Sequence, residues 1–286
     1  MNSFLNELAK RLAEKWLSLL VLPGALYVAV ALAAWRIGHG SWDPGARFAA
    51  ELQSGKASTS EVLVAALVAL LLAAAAGLAA QAAGRAVQWL WLGEWPGRIG
   101  APLTRARRRR WDSAQDRYAA AVRAGEPPDE RARLAQQRNR IALAPPARPT
   151  RMGDRVTALG TRVLVAYGLD LEFGWPRLWL VLPEETRTVV SESRDSFNTA
   201  ATLAAWGLLY VPLGVLWWPA GVAGIATLLV AWIRGSAAIT NLASLMESAV
   251  DLHAAALATS LGLDVPDGLM TAELGRRATR ILRKGA

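Results

Sequence analysis

The sequence predicts an all-α integral membrane protein with four transmembrane helices and a helical cytoplasmic region. Three observations carry this expectation. Four apolar runs, each near the length a bilayer requires, interrupt the 286-residue chain. The positive charges crowd into segments that these runs would place on one side. Between the runs, apolar residues recur at helical spacing and no segment reads as a strand. Composition agrees: 53% of residues are hydrophobic and 19% charged, against about 25% charged in a typical soluble domain.

Residues 1–15 place Phe4, Leu5, Leu8 and Leu12 on one stripe, opposite Glu7, Lys10, Arg11 and Glu14. That pattern is an amphipathic helix at the membrane interface. The first span is assigned to 16–36. Its uncharged run, Trp16 to Trp35, exceeds a signal-peptide core and reads as a retained anchor. An outer loop, 37–60, follows, with glycines, Pro44, a short helix expected near Ala46 to Gln53, and a solvated His39. The second span covers 61–83, where Gln81 is the one strongly polar residue after Glu61. Runs of about 20 residues suffice to cross roughly 30 Å of hydrocarbon.

Residues 84–198 form the cytoplasmic helical region. It opens at the membrane surface with Gln88 to Pro96. Two charged helices are expected at Leu103 to Arg123 and Pro128 to Leu143, broken at Gly125 to Pro128. Asp129 and Glu130 suit the second helix's positive end. A proline-rich linker spans 144–149. Val156, Leu159, Val163, Leu164 and Tyr167 then recur at helical spacing. From Gly168 to Pro183, Trp175 and Trp179 lie among Leu, Val and two prolines, which reads as a short interfacial element. Glu184 and Glu185 open a helix expected to continue into the third span, 199–218.

Trp217 to Gly221 is expected to turn the chain into the fourth span, 220–239, with Arg234 snorkelling to the interface. Residues 240–286 complete the cytoplasmic part. One helix there carries Leu242, Leu245, Met246, Val250 and Leu257, and a last basic helix carries Arg276, Arg277, Arg280 and Arg283.

With four spans, both termini and the central segment share one side. That side carries 29 of the 32 Lys and Arg residues, which makes it cytoplasmic. Trp16, Trp35, Trp89, Trp91, Trp95, Trp217, Trp218 and Trp232 fall near span ends, as an aromatic belt requires. Of the basic residues, 28 are Arg and 4 are Lys. This bias, with heavy use of Ala, suggests a GC-rich bacterial genome, and hence the inner membrane.

Three stretches prompt a comparison: Thr150-Arg-Met-Gly-Asp154, Tyr167-Gly-Leu-Asp170, and Trp175-Pro-Arg-Leu-Trp-Leu-Val-Leu-Pro183. Together they resemble a recurring pattern of bacterial multi-span membrane proteins to which no activity is assigned. The resemblance covers about 70 residues, through the third span. It implies the membrane topology and carries over no functional residue.

Composition and motifs narrow the chemistry. There is no cysteine and there are two histidines, so disulfides, zinc–thiolate sites, iron–sulfur clusters and thiol catalysis are excluded. No GxxxxGK[ST] motif supports ATP use. The spans carry no charge at mid-depth, which argues against ion-coupled transport. No cofactor or metal is expected. The sharpest charge feature is Arg105, Arg107, Arg108, Arg109 and Arg110, which can contact anionic lipid head groups or serve only to fix topology. Asp170, Glu172 and Arg177 form a candidate polar interfacial site, with carboxylates able to act as acid or base; the alternative is a structural turn in which Arg177 pairs with a carboxylate. Glu247 and Asp251, four apart on one helix, suit a cation or basic partner, or else a solvated face or a salt bridge to a central arginine. Small residues in the spans (Ala73, Gly77, Gly84, Gly221, Gly224) suit close helix packing, with Gln81 available for an interhelical hydrogen bond.

The expected function is non-enzymatic: a membrane scaffold or anchor that assembles through its helices and recruits a cytoplasmic partner. A pore-forming homo-oligomer is the alternative, and an interfacial lipid-modifying enzyme stands third. Anionic lipids are the expected contact; a nucleic-acid partner is not expected.

Overall fold

The computed structural model describes residues 21–37 and 59–284. The amphipathic helix expected at 1–15, the start of the first span and the outer-loop helix near Ala46 to Gln53 lie outside these. The described residues are all-α, with no strand among them. In chain order the helices are α1 (Leu22–Ile37), α2 (Thr59–Leu92), α3 (Gly97–Arg123), α4 (Pro128–Ile141), α5 (Arg151–Tyr167), α6 (Leu171–Val181), α7 (Glu184–Leu213), α8 (Trp218–Ser260) and α9 (Ala272–Leu282). A 3-10 turn, Pro266–Gly268, precedes α9.

Among the described residues, two helices are long and apolar enough to cross a membrane: α2, over Leu63–Leu92, and α8, Trp218–Ser260. Leu22–Trp35 is a shorter apolar helix. At about 1.5 Å per residue, α8 is roughly 64 Å long, more than twice a hydrocarbon thickness. The sequence reading ends the fourth span at 239 and starts a further helix beyond it, but the two are one helix. Ala, Leu, Met and Glu propagate a helix equally well on either side of a polarity change, so α8 runs through. The turn before it also differs from expectation. α7 ends at Leu213, and the chain reverses over Gly214 to Trp217 by way of Gly214 N–H to Val211 O (3.0 Å) and Trp217 N–H to Leu213 O (2.8 Å).

Contacts divide the chain into two units. The first comprises Met1–Val87 and Thr199–Ile233. Its helices meet through small residues. A side chain at Gly24 of α1 would collide with the backbone of Ala73 in α2, and Gly84 of α2 sits against Thr202 of α7. Gly207 and Gly214 lie against Gly224 and Gly221 across the α7–α8 hairpin. Tyr27 adds an edge-to-face contact with Tyr210, centroids 5.4 Å apart. Ala73, Gly84, Gly221 and Gly224, marked for close packing, are thus engaged within the chain. Gln81 is exposed and makes no hydrogen bond among the described residues, contrary to the expected interhelical bond. The outward face of α2 is leucine-rich: Leu63, Leu67, Leu71 and Leu78 are all at least half exposed.

The second unit comprises Gln88–Asn198 and Arg234–Ala286. α3 and α4 pair as a helical hairpin, and α9 packs on both α5 and α6. The core is built from Leu159 and Val163 of α5, Leu178 of α6, Val250, Ala254 and Leu257 of α8, and Leu274, Ala278 and Leu282 of α9. Trp175 and Trp179, expected at the membrane interface, are half-buried against this core. Trp91 is another departure from the aromatic-belt expectation: it is buried, tilted against Phe197 at 6.1 Å. Gly235 of α8 makes room for it, since a Cβ there would lie 2.4 Å from the indole.

Candidate functional site

α2 ends in a Schellman turn. Gly93 adopts φ +65°, its N–H bonds Leu90 O, and Glu94 N–H bonds Trp89 O. A left-handed residue is what this motif requires, and glycine takes it without a Cβ penalty. Trp95 folds back so that its indole N–H donates to Leu90 O at 3.0 Å. Pro96 then starts α3. The chain leaves Leu92 in one direction and enters α3 in another.

The Thr150 to Asp154 stretch clamps this corner. Thr150 caps α5 by accepting from Gly153 N–H, and its hydroxyl donates to Trp91 O at 2.6 Å. A Cβ on Gly153 would lie 2.1 Å from Leu92 O, so only glycine allows the approach. Asp154 is buried. One carboxylate oxygen accepts the Ala147 and Arg148 amides at 2.9 and 2.8 Å, and the other takes both Arg107 Nε and Nη2. Arg107 also donates to Ile141 O at 3.0 Å. A single aspartate therefore ties α3, the linker after α4 and α5 together. Desolvated carboxylates persist inside proteins when their acceptor capacity is filled in this way.

This changes the reading of the arginine run. Arg107 is half-buried and committed to Asp154. Arg109 and Arg110 are exposed. Arg105 and Arg108 share one face of α3 and line an open cleft of about 390 Å³ together with Arg148, Thr104, Trp95 and Pro149. The sequence does not mark Arg148, Thr104 or Asp154 as site residues. The signal for Arg148 is weak, a lone arginine in a proline-rich linker.

Asp170, Glu172 and Arg177 are not joined to one another by any ion pair among the described residues. Asp170 caps α6 by accepting from Glu172 N–H at 3.1 Å, and pairs at 2.5 Å with Arg283, the C-cap of α9. Its own amide bonds the hydroxyl of Thr279, which in turn donates to Gly168 O. Arg283 also lies over the Phe173 ring at 5.3 Å. Arg177 donates to Phe173 O, not to a carboxylate, so the pairing suggested for it is not formed. The Glu172 side chain is exposed. The arrangement is an α5–α6–α9 joint, and Tyr167-Gly-Leu-Asp170 is its pivot. Gly168 takes φ +66° to end α5, and Leu169 is fully buried.

Glu247 and Asp251 are both engaged. Glu247 pairs with Arg162 of α5 at 2.6 Å, the suggested salt bridge to a central arginine. Asp251 accepts from Tyr167 Oη at 2.8 Å. That hydrogen bond, aided by burial and by the charges of Asp251 and Glu247, holds the Tyr167 phenol above its usual pKa. These side chains line a second cavity, of about 430 Å³. Among the described residues no three His, Cys, Asp or Glu side chains gather as a metal site.

No family model, no curated protein and no solved structure matches the chain. The functional reading therefore rests on the residues themselves.

Proposed function

We propose that the protein is a non-enzymatic, four-span membrane scaffold or anchor of the bacterial inner membrane, with both termini and residues 84–198 on the cytoplasmic side, that recruits a cytoplasmic partner. The observation that carries the membrane part is the outward face of α2. Leu63, Leu67, Leu71 and Leu78 are exposed on a helix where under a fifth of the most apolar 18-residue window is buried. In water each such side chain would forgo roughly 1.5–3 kcal/mol of burial, and patches of this extent mark an interaction or membrane surface. α8 supports the same reading, and α1 with the Thr199-to-Leu213 part of α7 supplies the two remaining spans. That part of α7 is short for a span, and the apolar turn Gly214 to Trp217 extends it toward an interface.

The scaffold is preferred to an enzyme because the marked polar residues do not converge: Asp170 is held by Arg283 and the α6 cap, Arg177 bonds a backbone carbonyl, and Glu172 is exposed. It is preferred to a homo-oligomeric pore because Gly24, Gly207, Gly221 and Gly224 pack within the chain, leaving those faces unavailable between subunits. The membrane part is tested by alkaline carbonate extraction of cell membranes. The protein should stay in the pellet. Release into the supernatant would defeat the reading and recast α2 as a face buried by another protein.

A further inference from the structure

We propose that the cleft between the start of α3 and the 142–150 linker binds a phosphate group through Arg105, Arg108 and Arg148. The three guanidiniums come from two separate segments and line one cavity of about 390 Å³, within the range of small-ligand pockets. Arg105 and Arg108 are three apart and so share a helix face.

None of the three has a carboxylate partner among the described residues; Arg105 Nε reaches only its own helix carbonyl, Ala101 O, at 3.4 Å. Arg107, which lies between Arg105 and Arg108 in the run, is by contrast neutralised by Asp154. Three like charges facing one cavity repel one another unless an anion joins them, and forked N–H groups match phosphate oxygens. The cleft is also built in advance. Arg148 N–H is held by Asp154, whose other oxygen is held by Arg107, so the buried ion pair sets the wall that carries Arg148.

A phosphate can arrive on a lipid or in solution. Trp95, on the cleft wall, bonds Leu90 O, and the neighbouring Trp89 and Leu90 side chains are over two-fifths exposed. An apolar approach of this kind favours the head group of an anionic phospholipid. The lipid source rests on the membrane reading above; the phosphate chemistry does not.

The test uses the full-length protein purified in a neutral detergent, with thermal stability read against two probes: phosphatidylglycerol in mixed micelles, and inorganic phosphate. The R105Q/R108Q/R148Q variant is compared with R109Q/R110Q/R117Q, which removes the same charge outside the cleft. The cleft variant should lose roughly 100-fold in apparent affinity, and the control no more than about threefold. A101L, which narrows the cleft with no change of charge, should also weaken binding, and covers the case in which the triple variant fails to fold. Cleft-dependent stabilisation by phosphatidylglycerol assigns a lipid head group; by phosphate alone, a soluble ligand. Equal losses in the two triple variants, or unchanged binding in A101L, would overturn the site in favour of diffuse surface charge. A cleft-dependent response to a single-stranded oligonucleotide alone would overturn it in favour of nucleic acid. Failure of the membrane reading would appear in the carbonate extraction and leave the phosphate arm intact.

Discussion

At the scale of single residues, Asp154 matters most. It is buried, and it satisfies two backbone amides and one guanidinium that would otherwise be unpaired. Replacing Asp154 with alanine strands Arg107 in a partly desolvated position and frees both amides. The expected loss is about 3 kcal/mol or more, as for other broken buried pairs, measured by denaturant or thermal unfolding of the detergent-solubilised protein. Asp154→Asn keeps an acceptor and should lose less. A stability unchanged in both variants would show that the corner is held by packing alone. The importance of Asp154 was not legible in the sequence. Its partners lie 6, 7 and 47 residues away, and nothing in local spacing distinguishes it from Asp112 or Asp116. The arginine run was legible as a charge feature but not as three different things. Helical rotation turns Arg107 inward, Arg105 and Arg108 toward the cleft, and Arg109 and Arg110 to solvent, a division that depends on where the linker packs.

At the scale of elements, punctuation was what the sequence displayed best. Gly125 to Pro128 separates α3 from α4, Thr150 and Gly168 bracket α5, and Pro183 precedes α7, all close to where the sequence placed them. These residues act locally through φ, missing donors and side-chain caps, so their effect needs no tertiary partner. Polarity changes were a poorer guide, as the unbroken α8 shows. Gly168 is the element-scale position with the clearest consequence. It holds φ +66°, and a Cβ there would sit 2.3 Å from Ala272 O at the start of α9. Gly168→Ala should therefore both strain the α5 end and lift α9 from α5 and α6, lowering stability by more than the roughly 1 kcal/mol that a left-handed alanine alone implies. Hydrogen exchange should localise the loss to the amides of 272–282. Protection that falls uniformly over the chain would contradict so local a mechanism.

At the scale of the whole molecule, the arrangement of charge gives the sharpest expectation. On the proposed four-span topology, 29 of 32 basic residues fall in segments on one side, which the positive-inside rule would make cytoplasmic. The chain contains no cysteine, so single-cysteine variants give an unambiguous readout. In spheroplasts, a membrane-impermeant maleimide should label Arg47→Cys directly, and Arg117→Cys and Arg280→Cys only after permeabilisation. The opposite pattern would invert the topology; labelling of all three would argue against the four-span assignment.

The joint at Gly168 also bears on how the protein is made. Thr279 reaches back 111 residues to Gly168, and Arg283 reaches back 113 to Asp170. At about 5–20 residues per second of synthesis, the α5–α6 surface therefore waits on the order of 5–20 s for the helix that covers it. Throughout that interval a nascent chain displays an apolar seat with nothing in it, which is the kind of surface that chaperones hold and proteases inspect. A stop codon anywhere before α9 would make that interval permanent.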